Sequence, residues 1–462
     1  MSSFGGLSIA LSSLQSQRRA LDLTGQNVAN ASTVGYTRQR ADLQALGPVA
    51  LHSLQGSAMP YGSGVTVAGV VRLSDELAAA RVRSSTADHG FLAARADVLT
   101  QVEGRFAEPG DDGISAALGE LWSTFGDLSN SPDDPAARTA VLQQASRVVD
   151  LLHAGNRGTA VQWDQTRTQA QAVRDEVNSL AASVASLNTT IRESNGEAHE
   201  LVDQRDQLVL RLSELTGATS QLKADGTNRV LVGGIPLVDG DRASQIALVT
   251  PTRIEDVTAA SPVRLTWPDG STVSAGGVAG ALTEAMQTTL PSVTAGYDAV
   301  ATALADRVNA LHTTGQAPDG TSGRPFFVLG TGGSATIAVN PDLMADPMLL
   351  AAAAPGAGSK DGTLADALAA LGTADGGPDQ LWSKFVVRTG VEVKSLGGRA
   401  DVAAAVATRA QSDLLSTTGV DIDEEMTNLV MFQRAYEGAA RVMTAVDQAL
   451  DTLINRTGVV GR

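Results

Sequence analysis

The stretch TGQNVANASTVGYTRQR, residues 24–40, lies where the first helix of the chain must end. Upstream of it, apolar side chains recur at intervals of three and four residues, which predicts a helix with one continuous apolar face. Asn30 tolerates the left-handed backbone conformation and Gly35 permits positive φ, so the helix is expected to end near Asn30. A Ser-Thr pair between them can hydrogen-bond the local backbone. The sequence therefore predicts a sharp turn, followed by a strand segment from Tyr36 to Leu43.

Both ends of the chain carry apolar seams with heptad-like spacing. The N-terminal seam has one charged interruption, Arg18, and consists of Phe4, Leu7, Leu11, Leu14 and Leu21. The C-terminal seam is uninterrupted and consists of Leu429, Phe432, Tyr436, Ala439, Met443, Val446, Leu450 and Leu453. Asp421 is a suitable N-cap for this last helix, with Glu424 three residues later. The seams predict either the core of a helical bundle or packing between subunits, and periodicity alone does not separate the two.

Between the two ends, helical and β-like segments alternate. Helix is predicted over about 75–153, with breaks at AEPGDDG and SNSPDDPAA, and coiled-coil spacing follows over 173–191 and 201–215. The stretches NRVLVGGIPLVDG and VRLTWPDGSTV each predict a strand, a turn and a second strand. Helix is expected again over 282–311, and loop and strand after it.

These segments predict a mainly α chain with β insertions, elongated and divided into domains that are discontinuous in sequence. Helices occupy both ends, and terminal helices that share a seam can pair with each other. The predicted domains are a terminal coiled coil (1–60 and 415–462), a bundle of long helices (61–215, 278–316 and 381–414), a small β domain (216–277), and either a second insertion or an extension of that β domain (317–380).

Composition excludes several classes of function. The chain has 462 residues and a net charge of −16, and phosphate binding needs clustered Lys and Arg, so no nucleic-acid surface is expected. Cysteine is absent, which excludes disulfides and thiolate metal sites. No apolar run approaches the length of a membrane span. The first residues, MSSFGGLSIALSSLQSQRRA, lack the basic start and continuous apolar core of a secretory signal, so any export is expected to use another route.

The sequence contains no catalytic constellation. The string HELVD, residues 199–203, has Asp203 where a zinc site on one helix face needs a second histidine. The string GTGGSA, residues 330–335, is followed by the strand-like TIAVNP and not by the helix of a dinucleotide-binding loop. The acidic pair Glu424 and Glu425 lies at a helix start, where capping explains it. The sequence therefore predicts no enzyme activity, no metal and no cofactor.

Two terminal motifs and the middle of the chain resemble one group of proteins. ANASTVGY resembles the Ala-Asn-x-x-Thr-x-Gly-Tyr/Phe signature of the bacterial flagellar rod, hook and hook-associated axial proteins, carried here by Ala29, Asn30, Thr33, Gly35 and Tyr36. Residues 423–456 resemble the C-terminal helix that these proteins share. In the middle, ELVDQRDQLVLRLSELTG, NRVLVGGIPLVDG and GRPFF are similar to the hook-associated protein 1 family.

This resemblance implies a structural component that joins the flagellar hook to the filament. It implies an inner shell of paired terminal helices around an export channel, which the chain leaves at the turn of residues 30–35. The implied partners are further copies of the chain in a ring or helical polymer, the hook protein, a second hook-associated junction protein, and an export chaperone for the C-terminal region; neither nucleic acid nor membrane is implied. The implied location is the extracellular flagellum, reached by type III export without a cleaved signal peptide.

Three alternatives stand beside this interpretation. The chain could be the hook protein or another axial component, whose resemblance would stop at the two termini. An axial protein with an inserted enzyme domain would need the metal motif that HELVD lacks. A cytosolic coiled-coil scaffold would remain with the cells in a fractionation, whereas a junction protein would be found on detached flagella.

Overall fold

The computed structural model describes residues 3–47, 62, 64–194 and 198–456. Long helices dominate it. The helices are α1 (Ser3–Ala29), α2 (Glu76–Glu103), α3 (Ile114–Asn130), α4 (Pro135–Glu193), α5 (His199–Thr216), α6 (Gly277–Glu284), α7 (Leu290–His312), α8 (Pro341–Ala345), α9 (Thr363–Ala369), α10 (Pro378–Thr418) and α11 (Ile422–Asp451). The strands are β1 (Gln39–Leu46), β2 (Gly64–Arg72), β3 (Thr219–Leu222), β4 (Asn228–Val232), β5 (Ile235–Asp239), β6 (Arg242–Ala243), β7 (Ala247–Val249), β8 (Arg264–Thr266), β9 (Phe327–Val328) and β10 (Ala338–Val339). No described helix has a stretch that is both long and apolar enough to cross a membrane.

The first helix ends at Ala29, as its turn-forming sequence predicted. The chain then forms an antiparallel hairpin of β1 and β2, whose open end pairs Gln39 with Arg72. The strand begins three residues later than the predicted Tyr36, because the backbone N–H of Tyr36 bonds to Thr33 within the turn. The predicted loop at the far end of the hairpin falls on residues 48–61 and 63, which lie outside the described residues.

Long antiparallel helices form the middle of the molecule. The two predicted breaks are confirmed, since they separate α2 from α3 and α3 from α4. The helix α4 is a single element of 59 residues, with Asp134 as its N-cap and a proline in its first turn. The helix α5 returns along its C-terminal half, where Arg211 bonds to Glu176 and Arg205 to Asn188. The helix α10 packs along α2.

The helix predicted over 282–311 begins earlier than expected and contains a π-helical segment. The chain runs through α6, five π-helical residues (Ala285–Thr289) and α7. The fully buried Trp163 of α4 donates its indole N–H to the carbonyl of Met286 in that segment, at 3.0 Å. This bond uses a carbonyl at the irregular turn, where a π-bulge weakens the regular helical pattern.

The strand predictions of the middle segment hold for one stretch and fail in part for the other. NRVLVGGIPLVDG forms β4 and β5 around Gly233 and Gly234, both at positive φ, within the antiparallel sheet β3-β4-β5-β6. In VRLTWPDGSTV only β8 forms, and it pairs with β7. The prediction of a second strand is wrong. Only one isolated β-bridge, between Thr266 and Thr272, forms there. Few residues remain for pairing there, since α6 already begins at Gly277.

The β segment shares one hydrophobic core with the helices. Its inward side chains Val230, Leu237 and Val238 are fully buried in the same core cluster as the apolar residues of α4 and α5. Asn188 of α4 also donates to the carbonyls of Asn228 and Gly240, both at 2.8 Å. The β segment is therefore distinct in composition but not in packing.

The segment 317–380 packs on the helical bundle. Phe326 lies against Phe125 of α3, with ring centroids 5.6 Å apart, and the carbonyl of Ile337 lies 2.9 Å from the His153 ring of α4. Among the described residues, its short strands β9 and β10 pair only with each other and are not part of the four-stranded sheet. This segment therefore extends the helical core.

Candidate functional site: the packed terminal helices

Helices α1 and α11 pack against each other in antiparallel orientation. Near one end, a Cβ placed on Gly6 would lie 3.4 Å from Val446 Cγ2. At the other end, the side chains of Asn27 and Glu425 are hydrogen-bonded at 3.1 Å. The buried side chains of α1, which face α11 or the hairpin, are mainly small or polar. These residues are Ala10, Ser16, Ala20, Leu23, Thr24 and Asn27.

The predicted seam residues lie beside this buried face and are only partly covered in a single chain. On α1, Leu7, Leu14 and Leu21 are partly buried and Leu11 is 48% exposed, while the side chain of Phe4 lies outside the described residues. On α11, Tyr436 is 39% and Leu453 is 55% exposed. The partly buried members on α11 are Leu429, Phe432, Met443, Val446 and Leu450. The heptad seam is therefore not the closed core of one chain.

Further apolar side chains of α11 are exposed in the single chain. Ile422, Met426 and Val430 recur every four residues and are each about half exposed. The neighbouring Met431 and Val442 are exposed to a similar degree. Contiguous exposed apolar surface of this kind is typical of a protein–protein contact.

The turn after α1 is held by the residues of the sequence signature. The Asn30 amide group donates to the carbonyl of Gln26 at 3.0 Å, and the Thr33 hydroxyl donates to Asn30 Oδ1 at 3.2 Å. Gly35 has φ of +82°, and a Cβ there would collide with the amide of Gln207 in α5. The positive φ therefore favours glycine, whereas the flexible Gln207 side chain could move aside. Ala29 is exposed and takes no part in these bonds.

A buried polar network joins the turn to both terminal helices. The Tyr36 hydroxyl donates to Asn27 Oδ1 at 2.8 Å, and Asn27 Nδ2 donates to the Gln39 carbonyl at 2.8 Å and to Glu425 at 3.1 Å. Glu425, which is 2% exposed, also accepts from Arg38 Nε at 2.7 Å. A buried carboxylate is stable only when it is paired and hydrogen-bonded, as here. The network therefore connects segments that lie almost 400 residues apart in sequence.

Electrostatics keep Tyr36 protonated and Arg38 charged in this network. Burial, followed by the nearby carboxylates Glu200, Asp203 and Glu425, raises the pKa of Tyr36 to about 12, so its hydroxyl remains a donor. The hydrogen bonds that Arg38 donates to Glu424 raise the pKa of Arg38 and lower the pKa of Glu424. Arg38 is thus a permanent cation between two carboxylates at the start of α11.

The acidic pair at the start of α11 does more than cap the helix. Asp421 is the N-cap, as predicted, and accepts from the N–H groups of Asp423 and Glu424 at 2.9 and 3.1 Å. The side chains of Glu424 and Glu425 instead bind Arg38 of the hairpin. The sequence interpretation missed Arg38, Asn27 and the burial of Glu425, because a local pattern gives no signal for partners so distant in sequence.

The two strings that resembled enzyme motifs have structural contacts. In HELVD, the His199 ring lies 3.1 Å from the carbonyl of Val70, and Asp203 accepts from the N–H of Thr37 at 3.0 Å. Across the described parts of the chain, no group of three or more acidic or histidine side chains is arranged to hold a metal ion. In GTGGSA, Ser334 donates to Asp298 through its N–H and its hydroxyl, and strand β10 follows.

Comparison with known families identifies the chain. The family model of the helical domain of flagellar hook-associated protein FlgK matches residues 99–327. The models of the flagellar basal body rod FlgEFG protein C-terminal region and of the flagella basal body rod protein match residues 411–456 and 7–37, the two terminal helices. Flagellar hook-associated protein 1 of Bacillus subtilis is 27% identical over an alignment of 508 positions that covers all of both chains. The chain belongs to the flagellar hook-associated protein 1 family.

Other members of the family match part of their length. Flagellar hook-associated protein 1 of Salmonella typhimurium is 28% identical, and that of Escherichia coli 26% identical. Each alignment covers 70% of this chain and 59% of the relative. The solved structure of the flagellar hook junction protein FlgK from Burkholderia pseudomallei is 25% identical, with a TM-score of 0.49, over 54% of this chain and 46% of that one.

Family membership confirms the identification made from the sequence motifs. It assigns the chain to the bacterial flagellum and to a family of structural proteins. It also agrees with the mainly α fold with β insertions that the periodicity predicted. The buried network around Asn27 and the exposed rows of α11 are therefore features of a flagellar axial protein.

Proposed function

We propose that this protein is a non-enzymatic subunit of the junction between the flagellar hook and the filament, and that it assembles through its terminal helices. The observation that carries the proposal is the large apolar surface that α1 and α11 leave uncovered in one chain. Burial of such surface is the main driving force of association, at about 25 cal/mol per Å². Matches of both terminal helices to flagellar rod models support it.

The seam residues are the proposed subunit contacts. The N-terminal set is Phe4, Leu7, Leu11, Leu14 and Leu21, and the C-terminal set is Leu429, Phe432, Tyr436, Met443, Val446, Leu450 and Leu453. In the assembled ring or helical polymer these side chains contact a neighbouring copy. The turn of Ala29, Asn30, Thr33, Gly35 and Tyr36 directs the chain from the terminal helices to the bundle.

The proposed partners follow from this position in the flagellum. The polymer contacts the hook protein on one side and a second hook-associated junction protein on the other. An export chaperone covers the C-terminal helix before assembly, because its exposed apolar rows would otherwise associate prematurely. The protein reaches the extracellular flagellum through the flagellar export channel, without a cleaved signal peptide. The names of the relatives, which are hook-associated proteins, support this assignment.

The test is the Tyr436→Asp variant in a strain that lacks the wild-type protein. Tyr436 lies in the middle of the seam and is 39% exposed in the single chain. Burying a large apolar side chain contributes roughly 1.5–3 kcal/mol, and a buried unpaired carboxylate costs further free energy. The loss is repeated in every subunit, so we expect cells with hooks but few or no filaments, counted by electron microscopy.

The matched control is Glu437→Asp, one residue further along α11, where the side chain is 56% exposed. This variant should assemble normal filaments. A melting curve of the purified Tyr436→Asp protein verifies that the helical bundle remains folded. Normal filament numbers in the Tyr436→Asp strain would show that the seam does not carry subunit packing.

A further inference from the structure

Helix α5 presents a polar face to the base of the β1–β2 hairpin. Glu200, Asp203, Asp206 and Gln207 are spaced so that they share one side of the helix. Gln207 lies against Gly35 of the turn, and Glu200 accepts from the Gln26 side chain of α1 at 2.7 Å. Asp203 and Asp206, the acidic residues at the centre of ELVDQRDQLVLRLSELTG, are part of this contact.

One carboxylate of α5 binds both strands at the base of the hairpin, before β1 and at the end of β2. Asp203, which is 6% exposed, accepts from the backbone N–H of Thr37 at 3.0 Å and from Arg72 Nε at 2.7 Å. Thr37 precedes β1, and Arg72 is the last residue of β2. Arg72 also donates to Asp206 at 2.8 Å, so its guanidinium lies between two carboxylates. Charge-assisted bonds of this kind are short and directional.

The hairpin base is bound on its other side by the terminal helices. The N–H of Arg38 donates to the carbonyl of Thr418 at the end of α10, and its side chain binds Glu424 and Glu425 of α11. Gln39 pairs with Asn27 of α1 through both of its backbone groups. The hairpin base therefore connects α5 of the bundle to α1 and α11.

Polar contacts, more than apolar packing, define this connection. The described part of α1 packs on α11 and on the two strands of the hairpin, and its link to α5 is the hydrogen bond to Glu200. A cavity of about 90 Å³ remains at the junction, bordered by Tyr36, Arg72, Glu76 and Leu414. Because the junction is not closely packed at this point, its directional bonds contribute to holding the orientation.

We infer that the ion pairs of Arg72 with Asp203 and Asp206, here called the Arg72 pin, set the orientation of the terminal helix pair on the helical bundle. Without it, Asp203 keeps the N–H of Thr37 and Asp206 keeps its ion pair with Arg205 at 3.6 Å, but the hairpin base loses its charged attachment to both carboxylates of α5. The helical bundle keeps its core, and α1 and α11 keep their contact with each other, so both parts stay folded while their relative orientation becomes variable. That a ring subunit benefits from one fixed orientation rests on the proposed function. The role of the Arg72 pin in setting that orientation does not depend on it.

The test measures a distance across the junction in the isolated full-length chain. The chain contains no cysteine, so spin labels can be attached at Gln433→Cys on α11 and Ser186→Cys on α4 without a competing thiol. We expect one narrow distance distribution in the parent chain. Arg72→Gln should broaden it at least twofold, and Arg72→Lys, which keeps the charge but loses the two-carboxylate geometry, should give an intermediate width.

Arg409→Gln is the matched control, because it removes an exposed arginine from an ion pair with Asp413 within α10. Its distribution should equal that of the parent chain. An unchanged width in Arg72→Gln with full helical circular dichroism would overturn the inference. If Arg72→Gln loses helical signal, the distance distribution of Asp206→Asn is measured instead. This variant removes the ion pair between Arg72 and Asp206 at a partly exposed position. The distance distribution of Asp206→Asn should then be broader than that of the parent chain, and an unchanged width would overturn the inference. Neither result depends on filament assembly, which tests the proposed function separately.

Discussion

At the scale of single residues, the connection between the two ends of the chain depends on one amide side chain. Asn27 donates two hydrogen bonds through Nδ2 and accepts two through Oδ1. An amide has that full capacity, so every polar atom of this buried group is satisfied. No other residue type of this size offers two donors and two acceptors. The side chain therefore specifies the pairing of the turn, the hairpin and α11.

His312 provides the clearest pH dependence in the molecule. It is 1% exposed, and its ring nitrogens bond to the carbonyl of Arg324 and the N–H of Ala351, so the native ring is neutral. Burial lowers the pKa of His312 to about 4. Between about pH 6.5 and 4 the unfolded chain binds a proton there and the native chain does not. The free energy of unfolding should therefore fall with decreasing pH, by about 3 kcal/mol across that window.

Chemical denaturation between pH 4 and 7 checks this dependence. The His312→Gln variant should lose much of the slope that the parent chain shows within the window. The control is His89→Gln, which replaces a histidine on α2 away from His312. This variant should keep the slope of the parent chain. Equal slopes in the parent chain and in His312→Gln would contradict the assignment.

At the scale of elements, α1 is unevenly anchored along its 27 residues. Between Leu7 and Leu14 only Ala10 is buried, whereas the last turns bury Ala20, Leu23, Thr24 and Asn27. A helix of this length is marginal in water without tertiary contacts. Its stability in the single chain therefore comes mainly from its C-terminal end, next to the polar network.

Hydrogen exchange should reveal this gradient in the monomer. We expect amides of residues 7–14 to exchange at least tenfold faster than those of residues 20–27, because local opening follows the number of buried contacts. Mass spectrometry of the isolated chain measures both peptides in one experiment. Asn27→Ala should speed exchange in the second peptide. Uniform slow exchange over the whole helix would mean that α1 is fully packed without a neighbouring subunit.

At the scale of the whole molecule, the β segment and the helices share one continuous core. Trp267 of the β segment and Trp122 of α3 are both buried and belong to the same core cluster. A continuous core predicts that neither part unfolds before the other. The terminal helix pair lies outside this cluster, so changes in its seam should leave the core intact.

Fluorine NMR of protein labelled with fluorotryptophan checks this prediction. Each of the four tryptophan resonances can be assigned by a single Trp→Phe variant. The resonances of Trp122 and Trp267 should disappear at the same temperature, within about 2 °C. Tyr436→Asp should not shift either midpoint. Earlier loss of the Trp267 signal would show that the β segment is an independent domain.

Local chemistry made much of the fold predictable. The end of α1, the breaks on either side of α3, the N-cap Asp421 and the β4–β5 hairpin depend on residues within a few positions of each other, and all are confirmed. The family could likewise be identified from contiguous motifs. The local pattern was insufficient for the second strand after Thr266, where the start of α6 at Gly277 leaves few residues for pairing.

The sequence by itself determined the helices, their seams, the turn signature and the family. Only the tertiary structure decided which faces pair, since the buried face of α1 lies beside the predicted heptad seam. It also decided the partners of Glu425 and Asp203, and the shared core of β segment and bundle. The physical reason is the range of the interactions. Helix ends and turns depend on neighbouring residues, whereas buried charges and helix faces are matched by groups that only the folded chain brings together.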